Sequence, residues 1–333
     1  MMRPRVVFAA ALVLLTGCSS SLVQPIEPRA LTQGSAVPTH FRHLYVANAS
    51  TVAVYGPGSG TVLRKISGVK PAALAFDSIG NLYVASDTRS DSGVLVYHPG
   101  ATVSSRKITQ SVRYPRALAI DRSDQLYVAN GYFNVCVYAS GSSTLLRKLK
   151  SFFPISIAFD PTDNVDVGSS SGPYGGNNSQ VAVFARHSSK TLRIISNGIS
   201  DPQSIAVDTS GTLYVADTSL SVIAVYPQGA TKPLRNITSG VRGPTALSLD
   251  SSGNLYVANN AASTVTVYAP GKSTPLRTIA AGISGPTTLI LDASNTLYVA
   301  NRRTVTVYAP GSRSPKLEIR NGIDMPVALA LGP

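Results

Sequence analysis

The sequence predicts an all-β protein, a seven-bladed β-propeller of four-stranded antiparallel blades. Two observations predict it. A segment reading LYVAN, or a close variant of it, recurs seven times at spacings of 38 to 48 residues. Each copy is accompanied by further short segments in which apolar residues alternate with small or polar ones, as they do in half-buried strands. A period near forty residues with four strands per unit is typical of a propeller blade.

The strands of one blade can be followed in order through the last complete unit. The innermost strand is predicted at 286–292, the second at 297–301, the third at 305–308 and the outermost at 316–319. The innermost strands alternate small and large residues, which suits blades that converge on an axis. An Asp-x-x-Gly-Asn turn joins the first two strands of several units, as at 77–81. Its aspartate is predicted to accept turn hydrogen bonds.

The two ends of the chain are predicted to share one blade. The first LYVAN copy, at Leu44, has no innermost strand before it, and the segment 326–331 has no LYVAN copy after it. Joining them completes a blade without an exposed inner edge. The predicted organisation is a leader at 1–17, a lipidated cysteine and tether at 18–42, and a propeller at 43–333, with blades at about 44–66 plus 326–331, 71–108, 115–149, 154–195, 202–237, 244–279 and 286–319.

The repeat unit P-x-A-L-A-x-D-x-x-G-N-L-Y-V-A-N-x-x-x-x-V-x-V-Y resembles the NHL-repeat family of β-propellers, and the resemblance extends from Leu44 to Leu331. It implies six or seven blades, and the seven copies favour seven. Propellers of this type serve as protein-binding platforms, as sugar or peptidoglycan binders, and occasionally as lyases or lactonases. The resemblance therefore leaves the function open.

The N-terminal segment resembles the signal peptide of a bacterial lipoprotein. Arg3 and Arg5 precede an apolar run at 6–15 that is too short for a stable membrane span. The run leads into Leu-Thr-Gly-Cys, which places small residues before Cys18. An ordinary secretory signal with an incidental cysteine is the alternative. We expect an extracytoplasmic protein anchored through lipid on Cys18, in the outer membrane if the host has one.

The chain is basic, with a formal net charge of +13. Arginines recur at one position of the predicted outermost strands, where they would discourage edge-to-edge association. The alternative is a cationic rim that touches anionic headgroups or acidic polysaccharide. Nucleic acid is disfavoured as a partner because the protein is expected to be secreted. The recurring arginines are Arg64, Arg106, Arg147, Arg193, Arg235 and Arg277.

The inventory of acidic residues gives little support to catalysis. Glu27 and Glu318 are the only glutamates, and neither is predicted at the mouth of the propeller. The lactonase-like and lyase-like propellers that the fold resembles rely on a glutamate there. We therefore predict no catalytic residue, metal or cofactor. A lyase or lactonase that holds a divalent metal through Asp217, Asn259 and Asn301 is the alternative.

Two positions depart from the repeat pattern. Cys136 lies in a third strand and is interpreted as a small buried hydrophobic residue. Asp166 stands where the other six repeats have tyrosine. We expect it to hydrogen-bond into the long loop at 169–180 or to lie at a disrupted blade edge.

The mouth is the predicted binding face. In NHL-type propellers the loops that enter the innermost strand and those that leave the second strand share this face. Here they are rich in aromatic residues and arginine, the types enriched at binding hot spots. Solvated loops with locally packed aromatic rings are the alternative. We expect a monomeric, non-catalytic binding module for envelope polysaccharide or a protein partner. The candidate residues are Arg113, Tyr114, Arg116, Tyr132, Phe133, Phe152, Phe153, Tyr174, Arg242, Asn259, Arg302 and Arg303, with Asn48, Asn130, Asp217 and Asn301 nearer the channel.

Overall fold

The computed structural model describes residues 43–87, 92–132, 134–172 and 178–333. These residues form seven four-stranded antiparallel sheets. The innermost strands of successive sheets pack side by side, and the last packs against the first, so the sheets close into a ring. The predicted seven-bladed β-propeller is confirmed.

Blade one contains both ends of the described chain, as predicted. Strand β28 pairs antiparallel with β1, and the register places His43 opposite Gly332 and Ala47 opposite Ala328. The C-terminal strand is therefore the innermost strand of the first blade. From the channel outward, the strands of blade one are β28 (Ala328–Gly332), β1 (His43–Ala47), β2 (Val52–Tyr55) and β3 (Val62–Ile66).

The other six blades follow in chain order, each running from its innermost to its outermost strand. Blade two contains β4 (Pro71–Phe76), β5 (Leu82–Ser86), β6 (Gly93–Tyr97) and β7 (Arg106–Ile108). Blade three contains β8 (Pro115–Ile120), β9 (Leu126–Asn130), β10 (Asn134–Tyr138) and β11 (Leu145–Lys150). Blade four contains β12 (Pro154–Phe159), β13 (Val165–Ser169), β14 (Gln180–Phe184) and β15 (Thr191–Ile195).

The last three blades repeat this arrangement. Blade five contains β16 (Pro202–Val207), β17 (Leu213–Asp217), β18 (Val222–Tyr226) and β19 (Arg235–Ile237). Blade six contains β20 (Pro244–Leu249), β21 (Leu255–Asn259), β22 (Thr264–Tyr268) and β23 (Arg277–Ile279). Blade seven contains β24 (Thr288–Leu291), β25 (Leu297–Ala300), β26 (Val305–Tyr308) and β27 (Leu317–Ile319).

Strands β24 and β28 begin two residues later than the sequence predicted. The residues just before them are still attached to the second strand, because the amide of Thr287 donates to the main-chain oxygen of Ala300 and the amide of Val327 donates to that of Ala47, each at 2.8 Å. The regular ladder starts after these contacts. The difference shortens the strands without changing the order of the blades.

The hydrophobic core lies between neighbouring blades and is made of the strand residues that alternate toward each interface. Tyrosines near the ends of five third strands add a polar contact to it. Each hydroxyl group donates to a main-chain oxygen in the loop that arrives from the preceding blade, so an apolar ring and a hydrogen bond join the same two blades. These tyrosines are Tyr55, Tyr138, Tyr226, Tyr268 and Tyr308.

Candidate functional site

The central channel opens on the face that carries the loops entering the innermost strands, here called the mouth. A cavity of about 150 Å³ lies in the channel. The residue that follows the inner-strand proline of each blade lines it, and these seven residues form one ring. Among the described residues that line the cavity, Arg116 alone is charged. The seven are Ala72, Arg116, Ile155, Gln203, Thr245, Thr287 and Val327.

Three of the predicted aromatic residues meet at the mouth. The ring centroids of Tyr114 and Tyr132 lie 5.1 Å apart, and those of Tyr132 and Phe153 lie 5.4 Å apart, both with edge-to-face geometry. The loops of two blades thus bring these rings together. Phe133 and Tyr174, which were also predicted here, lie outside the described residues. Tyr114, Tyr132 and Phe153 are called the aromatic cluster below.

The aromatic cluster is held by unusual backbone geometry. Tyr114 and Phe153, each immediately before an inner-strand proline, have φ values of 49° and 44°. Gly243 and Gly285 occupy the equivalent positions of blades six and seven, with φ values of 56° and 54°. A side chain in this left-handed region costs roughly 1–3 kcal/mol, which glycine avoids. The chain therefore carries two aromatic rings at positions where glycine would be less strained.

Arg116 lies beside the aromatic cluster. A Cβ atom built on Gly131 would lie 3.3 Å from Nε of Arg116 and 3.0 Å from the main-chain oxygen of Tyr114. The absence of a side chain at Gly131 gives the arginine room to lie along this loop. The Arg116 side chain is exposed and has no ion pair or hydrogen bond with the described residues. Its guanidinium donors are available to a ligand.

The other predicted mouth arginines are spread around the face. Arg113, Arg242, Arg302 and Arg303 are all exposed. Arg302 passes over Gly285, where a built Cβ would lie 3.0 Å from its Nε. These arginines surround the channel, whereas Arg116 lines it. Phe152, also predicted, is 41% exposed next to the aromatic cluster.

Asn259 was predicted as a binding residue, and the structure places it elsewhere. Its side chain is completely buried, and its Oδ1 accepts the main-chain N–H of Arg242 at 3.0 Å. Asn130 and Asn301 make the same contact with the amides of Arg113 and Ser284. These side chains hold the mouth loops in place by hydrogen bonds to their backbone, and they do not reach the surface. Asn48, Asn130, Asp217, Asn259 and Asn301 are all buried in this way.

Cys136 contacts Asn130, one of the buried side chains that hold the mouth loops. It is fully buried, as predicted, but it is not only a hydrophobic residue. The side-chain amide of Asn130 lies 3.3 Å from its sulfur, where Asn259 and Asn301 instead contact the hydroxyl groups of Thr266 and Thr306. Burial raises the pKa of the thiol.

All six recurring outer-strand arginines are half-buried, and four of them lie against tyrosines, so these four are not free to form a cationic rim. The guanidinium carbons of four of them lie 5.5 to 6.0 Å from a tyrosine ring centroid, and the same arginines donate to the tyrosine hydroxyl groups. In blades two and three the hydroxyl also donates to the turn aspartate. The four arginines and their tyrosines are Arg64 with Tyr45, Arg106 with Tyr83, Arg147 with Tyr127, and Arg277 with Tyr256.

The turn aspartates act as predicted. Oδ1 of Asp77 accepts the main-chain N–H of Asn81 at 2.7 Å, and its Oδ2 accepts from the Tyr83 hydroxyl at 3.2 Å. Gly80 in this turn has a φ of 85°. Burial raises the pKa of Tyr83 to about 12, and the Asp77 charge adds to this effect. The sequence indicated the turn. It did not indicate that the Tyr83 hydroxyl connects the turn aspartate to Arg106 on the outermost strand.

Asp166 interrupts this pattern in blade four. It is 1% exposed, and neither carboxylate oxygen has a hydrogen-bond partner among the described residues. Burial raises its pKa to about 7, and the charge of Asp160 adds to the rise while that of Arg193 opposes it. The expected hydrogen bond into the loop at 169–180 is absent from the described part of that loop. Asp166 instead lies inside the blade, where the other blades have a tyrosine ring.

The residues considered for the enzyme alternative are engaged elsewhere. Asp217 accepts from the amides of Ser200 and Asp201, and Asn259 and Asn301 accept from mouth-loop amides. Within the described residues, no cluster of three or more His, Cys, Asp or Glu side chains is arranged to hold a metal.

Cys18 and the leader lie outside the described residues, and no helix in the described ranges is long and apolar enough to cross a membrane.

Comparisons with known proteins support the fold. No family model matches the chain, and no curated protein matches it. A solved structure of a functionally unknown protein from Desulfotomaculum acetoxidans is similar at a TM-score of 0.69 and 15% identity, covering 87% of this chain and 98% of that one. The WD40 β-propeller domain of Doa1 is similar at a TM-score of 0.67 and 13% identity, covering 86% and 96%. At these identities the likeness shows the fold alone.

The structure adds residues that the sequence did not single out. Gln203, Thr245 and Thr287 line the channel together with Arg116. Their common signal was the position after the proline of each P-x-A-L-A segment. That position varies widely among the repeats, whereas the residue before it is always proline and the residue after it is always Ala, Ser or Thr, so it could have been recognised as the channel-lining position.

Proposed function

We propose that this protein is a lipid-anchored, extracytoplasmic binding module of the bacterial cell envelope, non-catalytic and engaging its partner at the mouth. The observation that carries the proposal is the aromatic cluster beside Arg116, at the edge of the central channel. A propeller is compatible with such a role because its blades form a rigid scaffold and its loops carry the variable contacts.

The composition of the mouth favours binding. Tyr114 is 37% exposed, and the partly exposed rings of Tyr132 and Phe153 adjoin it. Aromatic rings supply large contact areas with few rotatable bonds, and arginine supplies several fixed donors. The backbone at Tyr114 and Phe153 is strained, and strained residues cluster at functional sites, which supports a binding role for these rings. The half-buried outer arginines are less suited to a partner, because four of the six already contact tyrosines.

The proposed location rests on the sequence of the leader. The apolar run and the small residues before Cys18 support lipidation of that cysteine. Lipid chains contribute about 0.8 kcal/mol per buried methylene, so several chains hold a protein firmly at a membrane. The basic mature chain is compatible with the anionic surfaces of a cell envelope.

Retention on purified envelope material tests the proposal. The triple variant Arg113→Ala, Arg116→Ala and Arg242→Ala removes three exposed charges from the mouth. The matched control, Lys232→Ala, Lys272→Ala and Arg313→Ala, removes three exposed charges from the opposite face. We expect at least about a tenfold loss of retention for the mouth variant, equivalent to ~1.4 kcal/mol, and little change for the control. Equal losses would indicate attraction by net charge alone, and no loss for the mouth variant would refute the proposal.

A further inference from the structure

We infer that the mouth binds a carboxylate-bearing sugar residue, of the hexuronic acid type, within a polysaccharide. This inference rests on the proposed function and names the ligand class of the same site. Three groups of side chains around the channel carry it: a cation, a set of hydrogen-bond acceptors, and an aromatic surface. Each matches a different part of an acidic sugar.

The cation is Arg116. It alone among the seven ring residues is charged, and its guanidinium is not bonded to another described residue. A guanidinium binds a carboxylate through two parallel N–H donors, which fixes the orientation of the bound group. The cavity of about 150 Å³ next to it has room for several water molecules, so a carboxylate fits there beside the guanidinium.

The acceptors belong to three other members of the ring. The hydroxyl groups of Thr245 and Thr287 donate to the main-chain oxygens of Pro286 and Pro326, at 3.0 and 2.9 Å. The Gln203 side-chain amide donates to Asp201 at 2.9 Å. Because the threonine protons are engaged, the threonines offer oxygen lone pairs to a ligand, and Gln203 retains its carbonyl oxygen. These groups need donors, which sugar hydroxyl groups supply.

The aromatic surface is the cluster of Tyr114, Tyr132 and Phe153. The C–H groups on one side of a sugar ring are weakly positive, and the faces of aromatic rings are negative. A sugar that places its carboxylate against Arg116 can rest its ring on this cluster. With its ring on the partly exposed cluster, the sugar leaves room for the neighbouring units of a polymer to continue across the mouth.

Other anions match fewer of these groups. Inorganic sulfate would pair with Arg116 but bring no donor for the threonine oxygens. A glutamate side chain from a partner protein would bring a carboxylate without hydroxyl groups. A neutral sugar would satisfy the acceptors and leave Arg116 without an anion. The combination of one carboxylate with several hydroxyl groups satisfies all three sets.

Calorimetric titration of the full-chain protein tests the inference. The probe is an oligogalacturonate, and the comparison ligands are its methyl ester, polyglutamate and sulfate. We expect binding of the oligogalacturonate and at least about tenfold weaker binding of each comparison ligand. Arg116→Gln should weaken oligogalacturonate binding about tenfold or more, whereas the opposite-face control Arg313→Gln should leave it unchanged.

The outcomes separate this inference from the proposed function. Equal binding of oligogalacturonate and polyglutamate would overturn the sugar assignment in favour of an acidic peptide. Equal binding of the methyl ester would overturn the role of the carboxylate. If no oligogalacturonate binds, while envelope retention still depends on the mouth arginines, the inference fails and the proposed function stands. Thermal unfolding of each variant checks that the fold is intact.

Discussion

The hydroxyl group of Tyr55 donates a 2.6 Å hydrogen bond to the main-chain oxygen of Asn321, 266 positions further along the chain. Asn48 makes two further contacts with the same C-terminal loop, accepting the amide of Asp324 at 3.0 Å and donating to the oxygen of Gly322 at 3.0 Å. The first blade is therefore joined to the last by side chains as well as by strand β28. Closure of the ring depends on both sets of contacts.

Removal of the residues after Met325 should destabilise the whole ring. The deletion removes the innermost strand of blade one, including the buried Leu329 and Ala330, and exposes apolar surface of two neighbouring blades. We expect a loss on the order of several kcal/mol in the free energy of unfolding, enough to unfold many proteins. Chemical denaturation measures it. A truncated chain that melts within a few degrees of the full chain would contradict this role for β28.

Gly332→Ala tests the same closure with one methyl group. A Cβ atom at Gly332 would overlap the ring of Phe76 in the next blade. We expect a loss of roughly 1–3 kcal/mol from overpacking. Gly56→Ala is the matched control, because its built Cβ would lie 3.5 Å from Leu63, an ordinary contact distance. Similar melting temperatures for the two variants would show that Phe76 moves aside without cost.

The tyrosine contacts between blades can be removed one at a time. Tyr226→Phe deletes the hydrogen bond to the oxygen of Asn197 and keeps the ring, and blade four already has phenylalanine at this position, Phe184. We expect a loss of about 1 kcal/mol. Adding Tyr268→Phe removes the equivalent hydrogen bond to the main-chain oxygen of Ser239. The loss of stability should roughly double, because the two tyrosines share no partner. Unchanged denaturation midpoints would mean that water replaces these contacts.

Asp166 should make stability depend on pH. Its pKa of about 7 in the folded chain lies above the unfolded value near 3.9, so the folded state retains a proton that the unfolded state loses. The free energy of unfolding should therefore fall as pH rises from about 4 to 7, by up to a few kcal/mol. Asp166→Asn should weaken this dependence, as measured by denaturation at pH 5 and pH 8. If wild type and variant show equal pH dependence, Asp166 is ionised in the folded state.

Cys18→Ser tests the proposed anchor. Without the thiol no lipid can be attached, so the protein should move from the membrane to the soluble extracytoplasmic fraction. Fractionation of cells followed by a high-salt wash measures this, since salt removes proteins that are held by charge. Equal membrane retention of wild type and variant after the wash would show that another contact holds the protein.

The fold could be predicted from the sequence because each repeat carries its own strands and turns. Alternating apolar residues define the strands, and the Asp77 turn closes between neighbours in sequence. The unpaired segments at the two ends then implied closure, which the pairing of Ala47 with Ala328 confirms.

The details of the mouth depend on contacts that repeats do not encode. Tyr132 meets Phe153 because loops of different blades converge, and nothing in either repeat specifies that distance. Asn259 was predicted as a binding residue near the channel because it ends a second strand at the mouth, but its side-chain oxygen accepts a hydrogen bond from a loop amide. The outer arginines were predicted from their period, whereas their packing on tyrosines required the side-chain geometry.

The pairing of β1 with β28 also fixes where the chain leaves the ring. His43 and Gly332 are opposite each other at the ends of their strands remote from the mouth, and the hydroxyl group of Tyr45 donates to the oxygen of Pro333 at 3.0 Å on that side. Both termini of the propeller therefore emerge from its back. If Cys18 carries lipid as proposed, the 25 residues from there to His43 would keep the back of the propeller near the membrane, since a random coil of that length spans about 25–30 Å. The channel opening would then face away from the lipid surface.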